Sequence, residues 1–152
     1  MTWISKTASG DTPLATVYGL IPDAYARHQE LVQQLWQPGL IDPVVLELCR
    51  LRIAQIVRCQ RELDHRSPEA TAAGLDEAKI AELPKWPTSS SFGPAERAAL
   101  GFAEMYVIDP GSVTDEQCAA VTAQFTPAET AVLTTAIAVF DANARFQVAL
   151  AV

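Results

Sequence analysis

The sequence predicts an all-α protein that folds as one domain. Ten prolines occur in 152 residues, and most of them stand where a helix would begin or a loop would turn. Between these prolines apolar residues recur at helical spacing, and no segment shows the alternating apolar and polar residues of a half-buried strand. A chain of this length can bury a substantial core as a single domain. We therefore expect a bundle of about seven or eight helices.

Several helix starts carry capping signals. Asp42 precedes Pro43, which places a side-chain acceptor before a residue that needs no hydrogen-bond partner in the first turn. Thr126 and Glu129 have the spacing of a capping box, and a second box begins at Thr114. Together with the apolar stripes, these signals predict helices at 13–20, 22–36, 43–58, 60–73, 76–83, 94–109, 115–124 and 127–149.

One segment divides the predicted helices into two groups. Residues 84–93 contain two prolines and a Thr-Ser-Ser-Ser run, a composition typical of a loop. Trp86 lies within this segment and predicts a loop that is pinned to the protein surface. We expect an N-terminal extension at 1–12 and one domain at 13–152, with the loop between its two helical halves.

The charge and composition exclude several classes of protein. The chain has 18 acidic and 11 basic residues and a net charge of −7, whereas proteins that bind nucleic acid or anionic membranes carry a basic surplus. No stretch approaches the roughly 18 apolar residues of a membrane span, and residues 1–11 lack the apolar core of a secretory signal. Three cysteines in such a chain indicate reduced thiols and a cytoplasmic location.

The common cofactor and metal motifs are missing from the sequence. It contains two histidines and neither a C-x-x-C nor an H-x-x-x-H motif, so we expect no zinc site. Glycine-rich phosphate-binding loops are also absent. We therefore expect no cofactor and no metal, and a small molecule as the partner rather than nucleic acid or a membrane.

The basic residues are concentrated around one cysteine. Five of the eleven fall within seventeen positions, namely Arg50, Arg52, Arg58, Arg61 and Arg66. Cys59 lies in the middle of this run, where guanidinium groups and the start of a helix could lower its pKa and make the thiol reactive. The alternative is that Cys59 is a small buried apolar residue, as most free cysteines are.

Three further residues near Cys59 could transfer protons. Glu62 and His65 are three positions apart, and a carboxylate that orients a histidine beside a thiol forms an acid/base set. The alternative is a surface position in which Glu62 pairs with an arginine four residues away, at 58 or 66. Glu47 lies in an apolar stretch, where burial would raise its pKa and suit it to proton transfer. It could equally pair with Arg50, three residues later.

These residues resemble a known family. Glu47, eleven residues, Cys59, an acidic and histidine-containing cluster and then Ala-Ala-Gly-Leu at 72–75 are similar to the alkylhydroperoxidase D-like (AhpD-like), or carboxymuconolactone decarboxylase, family. The similarity runs from about residue 13 to the C-terminus. It implies an all-α helical bundle that assembles into homo-oligomers.

The resemblance also implies roles for single residues. In the peroxidase branch a glutamate, a C-x-x-C pair and a histidine form a proton relay; Glu47 matches the glutamate and Cys59 the first cysteine. Glu62 occupies the position of the second cysteine, so the family disulfide cannot form. The relay histidine position falls on Arg66, with His65 one residue early, and Arg58 stands where a glycine is common.

Three functions follow from the resemblance, the first of them favoured. The first is a thiol-dependent hydroperoxidase that uses a single cysteine, with catalytic Cys59, Glu47, Glu62 and His65 and an external thiol as reductant. The second is a decarboxylase-like enzyme whose arginines bind a small carboxylated substrate, while Glu62 or His65 donates a proton. Its substrate-binding residues would be Arg58, Arg61 and Arg66. The third is a non-catalytic, oligomeric helical protein.

Overall fold

A computed structural model describes residues 3–4 and 10–152, and all regular elements among them are helical. The α-helices, in chain order, are α1 (Pro13–Tyr18), α2 (Pro22–Leu35), α3 (Pro43–Val57), α4 (Gln60–Asp64), α5 (Pro68–Ala72), α6 (Glu77–Ala81), α7 (Pro94–Ile108), α8 (Asp115–Thr122) and α9 (Pro127–Leu150). Two short 3-10 helices lie at Leu83–Lys85 and Pro110–Ser112. The predicted all-α single-domain fold is confirmed. Most of the expected extension at 1–12 lies outside the described residues.

The capping signals in the sequence explain where the helices begin. Six of the nine α-helices in the described part of the chain start with proline. The Asp42 carboxylate accepts a hydrogen bond from the backbone N–H of Val44 at 2.8 Å. The predicted capping boxes at Thr114 and Thr126 are both formed. None of the described helices is long and apolar enough to cross a lipid bilayer.

The predicted helix at 60–73 is wrong, because this segment forms the two helices α4 and α5. Pro68 cannot continue a helix, since its nitrogen carries no hydrogen and its ring collides with the preceding turn. Ser67 instead caps α5 by accepting a hydrogen bond from the backbone N–H of Ala70 at 3.2 Å. His65 consequently has an extended backbone (φ −86°, ψ 147°) and does not share a helical face with Glu62.

Helix α3 is the centre of the bundle and is buried on more than one side. It packs against α7 and α9. Leu46 and Ile53 belong to the main apolar core, whereas Leu48 and Leu51 pack with Leu83 in a second, smaller core. A helix that is surrounded in this way has few places for charge. Two charged side chains of α3, Glu47 and Arg50, are nevertheless buried.

The loop between the two helical halves is held against the bundle by one side chain. The Arg97 guanidinium donates hydrogen bonds to the backbone carbonyls of four loop residues, Trp86, Pro87, Ser89 and Phe92. The Trp86 indole packs at the edge of the smaller core. The predicted surface-pinned loop is therefore confirmed, although the sequence had pointed to the tryptophan and not to the arginine.

Candidate active site

Arg50, on α3, joins α3 to α4 and to the turn after it. Its Nε and Nη2 donate to the two carboxylate oxygens of Glu47 at 2.8 and 2.7 Å, a bidentate pair. Its Nη1 donates to the Glu62 carboxylate at 2.6 Å and to the Glu62 carbonyl at 2.8 Å. The second Nη2 hydrogen points to the carbonyl of His65 at 2.9 Å. All five guanidinium donors thus have protein acceptors, and none remains for a ligand.

Glu47 is the deepest member of this group. Its side chain is fully buried, and one carboxylate oxygen accepts a further hydrogen bond from the backbone N–H of Ser67 at 3.0 Å. Of the two interpretations open from the sequence, the structure shows the ion pair with Arg50. The desolvation of a buried carboxylate is compensated here by two guanidinium donors and one amide donor.

Glu62 is held by a neutral partner as well as by Arg50. The side-chain amide of Gln147, on α9, donates from Nε2 to Glu62 Oε1 at 2.5 Å, while Oε2 accepts from Arg50. Burial lowers the pKa of Arg50, but the hydrogen bonds and charges of Glu47 and Glu62 outweigh this effect and raise it. The guanidinium therefore stays protonated and is the cation that Glu47 and Glu62 share. The expected pairing of Glu62 with an arginine at 58 or 66 is wrong.

Two cavities meet at this cluster. The first, which we call the aromatic cavity, has a volume of about 210 Å³, and its lining includes Trp36, Phe140, Arg50, Glu62, His65 and Asn143. The second, the basic cavity, has a volume of about 260 Å³ and is lined by Thr12, Leu14, Arg61, Glu62, His65 and Gln147. Glu62 and His65 line both cavities. A proton donor or acceptor at this boundary can reach a small molecule bound on either side.

Cys59 lies in a different environment from Glu62. It precedes the first residue of α4, is only 3% exposed and belongs to the main apolar core. Burial raises the pKa of the Cys59 thiol; the backbone N–H groups of Glu62 and Arg61 lower it, but not enough to reverse the effect. This direction is opposite to the lowering expected from the sequence. Among the described residues that line the aromatic and basic cavities, Cys59 does not appear.

The three arginines expected to bind substrate have separate surroundings. Arg58 is exposed and left-handed, with φ +59°, and ends α3 in the geometry that favours glycine. Arg66 pairs with Glu77, its Nε lying 2.7 Å from the carboxylate, and it also donates to the Leu63 and His65 carbonyls. Arg61 lines the basic cavity. Of the three, Arg61 is therefore the one placed to meet a ligand beside Glu62.

The structure brings together part of the predicted site and adds residues to it. Glu62 and His65 share the cavity walls, and Glu47 supports them through Arg50. The additional residues are Arg50, Gln147, Trp36, Phe140 and Asn143. Gln147 could have been recognised from its helical register, because it follows Phe140 and Ala144 on the buried face of α9. Among the described residues, no group of three or more His, Cys, Asp or Glu could hold a metal ion.

Comparison with known proteins establishes the family. Residues 22–105 match the model of the carboxymuconolactone decarboxylase family. The chain belongs to this family, and the resemblance predicted from the sequence is confirmed at that level. Its relatives include the uncharacterized protein YnjA of Escherichia coli K12, which is 31% identical over 110 residues. The match covers 72% of this chain but only 60% of the length of YnjA.

Two solved proteins share the fold. One is ATU0492 of Agrobacterium tumefaciens, a protein of unknown function for which an AhpD role in antioxidant defence has been suggested. Its TM-score is 0.77 at 24% identity, and the match covers 88% of this chain and 92% of that one. The other is the debrominase Bmp8, with a TM-score of 0.77 at 20% identity, over 90% and 73% of the two chains. A cysteine-to-alanine variant of Bmp8 in complex with 2,3,4-tribromopyrrole gives a TM-score of 0.72. At these identities the similarity shows the fold alone.

Proposed function

We propose that this chain is an enzyme that transfers a proton on a small carboxylated molecule, with Glu62 as the group that carries the proton. The observation that carries this proposal is the position of the Glu62 carboxylate, which is anchored by Arg50 and Gln147 and forms part of the wall of two cavities. His65 lies beside it as a second acid/base group. The arrangement favours acid/base chemistry over a reaction of the buried Cys59 thiol.

The position of Arg61 supports a carboxylated substrate. Arg50 and Arg66 are engaged by protein acceptors, whereas Arg61 lines the basic cavity next to Glu62. We assign to Arg61 the binding of a carboxylate that the reaction retains. In the aromatic cavity the rings of Trp36 and Phe140, with centroids 5.8 Å apart, offer contact to an apolar part of the same molecule.

In a decarboxylation the atoms balance without a cofactor. The bond between the substrate carbon and a second carboxylate breaks, carbon dioxide leaves, and the bonding electron pair stays on the carbon. Protonated Glu62 then gives its proton to that carbon, forming the new C–H bond, and water restores the proton. His65 could deliver the proton in the same position, so the roles of the two groups need separate variants.

The test uses a carboxymuconolactone as substrate, with carbon dioxide release as the measurement. Glu62→Gln, which keeps the shape but cannot carry the proton, should lower kcat by about 10²–10⁴-fold. Cys59→Ser is the matched control, three residues away, and should retain activity with a bell-shaped pH–rate profile. A fully active Glu62→Gln would exclude the proposal, and a Cys59→Ser variant without activity would point to the thiol instead.

A single-cysteine hydroperoxidase is a second candidate, favoured by one local feature. The backbone N–H groups of Arg61 and Glu62 at the start of α4 act on the Cys59 sulfur in the direction that favours a thiolate. In that reaction the thiolate attacks a hydroperoxide, the O–O bond breaks, and a sulfenic acid and an alcohol form. Two molecules of an external thiol then regenerate Cys59 and yield a disulfide and water. Trapping of a sulfenic acid at Cys59, and not at Cys49 or Cys118, would support this candidate.

A further inference from the structure

We propose that the proton is carried by one particular oxygen of Glu62, Oε1, and that Gln147 is the positioning residue that accommodates both protonation states of this oxygen. This inference rests on the proposed function, because it names the atom and the partner through which Glu62 would act. It also assigns the proton transfer to the basic cavity rather than to the aromatic one.

The two oxygens of Glu62 have partners of different chemistry. Oε2 accepts from Arg50 Nη1 at 2.6 Å, and a guanidinium has donors only. A proton on Oε2 would therefore face another N–H group and would lose the charge-assisted hydrogen bond. Arg50 therefore cannot accept a hydrogen bond from the protonated form of Glu62.

Gln147 can form a hydrogen bond with Glu62 in both protonation states, because its carboxamide both donates and accepts. It now donates from Nε2 to Glu62 Oε1 at 2.5 Å, as a carboxylate requires. When Oε1 gains a proton and becomes a donor, half a turn of the carboxamide places the Gln147 carbonyl oxygen where the amino group had been, at the cost of the long 3.4 Å hydrogen bond from Nε2 to the Asn143 carbonyl. The hydrogen bond then persists with donor and acceptor exchanged, and it carries no charge that would oppose either state.

The placement of Gln147 matches this role. Gln147 is only 5% exposed and lies in register with Phe140 and Ala144 on the buried face of α9, whose other buried residues are apolar. A buried amide is tolerated when it is hydrogen-bonded. Its partner, Glu62, is 85 positions away in the sequence, on another helix. The glutamine is therefore placed to meet the carboxylate across the fold.

The hydrogen bonds of the cluster point to the same oxygen. Glu47 and Glu62 share the Arg50 guanidinium. Both oxygens of Glu47 already accept from donors, which are Arg50 and the backbone N–H of Ser67. Glu62 Oε1 is the oxygen whose partner can become an acceptor. Gln147, the partner of Oε1, lines the basic cavity, and Arg50, the partner of Oε2, lines the aromatic one. On this basis we assign Oε1 to the cavity that contains Arg61.

The experiment is a pH–rate profile of the full chain with a carboxymuconolactone as substrate. Gln147→Met, which keeps the length but removes both polar atoms, should move the limb at which activity falls with rising pH upward by about one unit, because the charged form of the proton donor loses a hydrogen bond. Gln147→Glu, similar in shape, should shift it further through repulsion between two carboxylates. Gln60→Met is the matched control, the same substitution at an exposed glutamine of α4 whose amide donates to Asp64, and it should leave the limb in place.

The outcomes separate this inference from the proposed function. If Glu62→Gln is fully active, the proposed function fails. If Glu62→Gln is inactive but neither Gln147 variant moves the limb, or Gln60→Met moves it as far, only the assignment to Oε1 and Gln147 fails. If the Gln147 variants do not fold, the wild-type protein decides: the side-chain amide NMR resonances of Gln147 should titrate with the same midpoint as activity, and resonances that do not move would overturn the inference.

Discussion

Cys59 and Glu62, at the two ends of the first helical turn of α4, lie in environments that differ more than their spacing in the sequence implies. Cys59 and Glu62 are three residues apart, yet Cys59 is packed in the main apolar core and Glu62 borders two cavities. Burial raises the pKa of the thiol, whereas the carboxylate of Glu62 is held by a cation and an amide. A basic stretch of sequence around a cysteine is therefore no guide to a reactive thiol. The guanidinium groups act on whichever side chains the fold brings to them.

The reason for the difference lies in the direction of the side chains. Arg50 is directed to Glu47 and Glu62, and Arg66 to Glu77, so that neither of these arginines is directed toward the Cys59 sulfur. The cysteine instead meets apolar neighbours from the core. Desolvation of the thiol then outweighs the amide groups at the helix start. Substitutions at Arg50 and Arg58 and alkylation of the cysteines test the two environments separately.

The largest expected effect comes from removing the cation on the Glu62 side. Arg50→Met leaves Glu47 buried without its counter-ion and should lower the free energy of unfolding by about 3–5 kcal/mol, measured by urea denaturation. Arg52→Met is the matched control on the same helix, because Arg52 pairs with the partly exposed Glu104 and its loss should cost about 1 kcal/mol or less. If the free energy of unfolding falls equally in the two variants, the buried cluster stabilises the fold no more than the partly exposed pair does.

On the Cys59 side, we expect a low rate of alkylation. Cys118 is exposed and should react with iodoacetamide at neutral pH at least about tenfold faster than Cys59, because the thiolate is the reactive form and burial limits access. Cys49, whose pKa burial raises to about 12, should react last. Because the pKa of Cys59 is also raised, its alkylation rate should keep increasing above pH 9.0, the ordinary value for a thiol. Mass spectrometry of the labelled peptides gives the order, and labelling of Cys59 first would favour the hydroperoxidase candidate.

The smallest effect concerns the turn that leads into Cys59. Arg58 has a left-handed backbone, and Arg58→Gly should raise the free energy of unfolding by about 0.5–1 kcal/mol through relief of this strain. Arg58→Ala removes the same side chain but keeps the strain, so it should give no gain. If both variants change stability equally in urea denaturation, the side chain and not the backbone of Arg58 matters at this junction.

Much of the fold could be predicted because its signals are local. Helices α2, α3, α7 and α9 end within one residue of their predicted bounds, since caps, prolines and apolar stripes act over a few residues. The break before Pro68 was missed because the polar pattern after Cys59 continued through it. The proline itself was the available signal.

The site could be predicted only in part. The pair of Glu47 with Arg50 was among the expected alternatives because three positions on a helix are neighbours. The hydrogen bond from Arg50 to Glu62 was not among these alternatives, because α3 ends and the chain turns before it reaches Glu62. Gln147 lies farther still along the chain and meets Glu62 only because α9 packs against α3, the helix that leads to α4.

The sequence by itself determined the helical class, the positions of most helices, the family and the set of polar residues near the end of α3. The tertiary structure decided which of these residues face each other. It assigned the guanidinium of Arg50 to two carboxylates, placed Cys59 in the core and opened two cavities at Glu62. The physical reason is that helix signals act within a few residues, whereas the pKa and reactivity of a side chain depend on burial and on charges that distant segments supply.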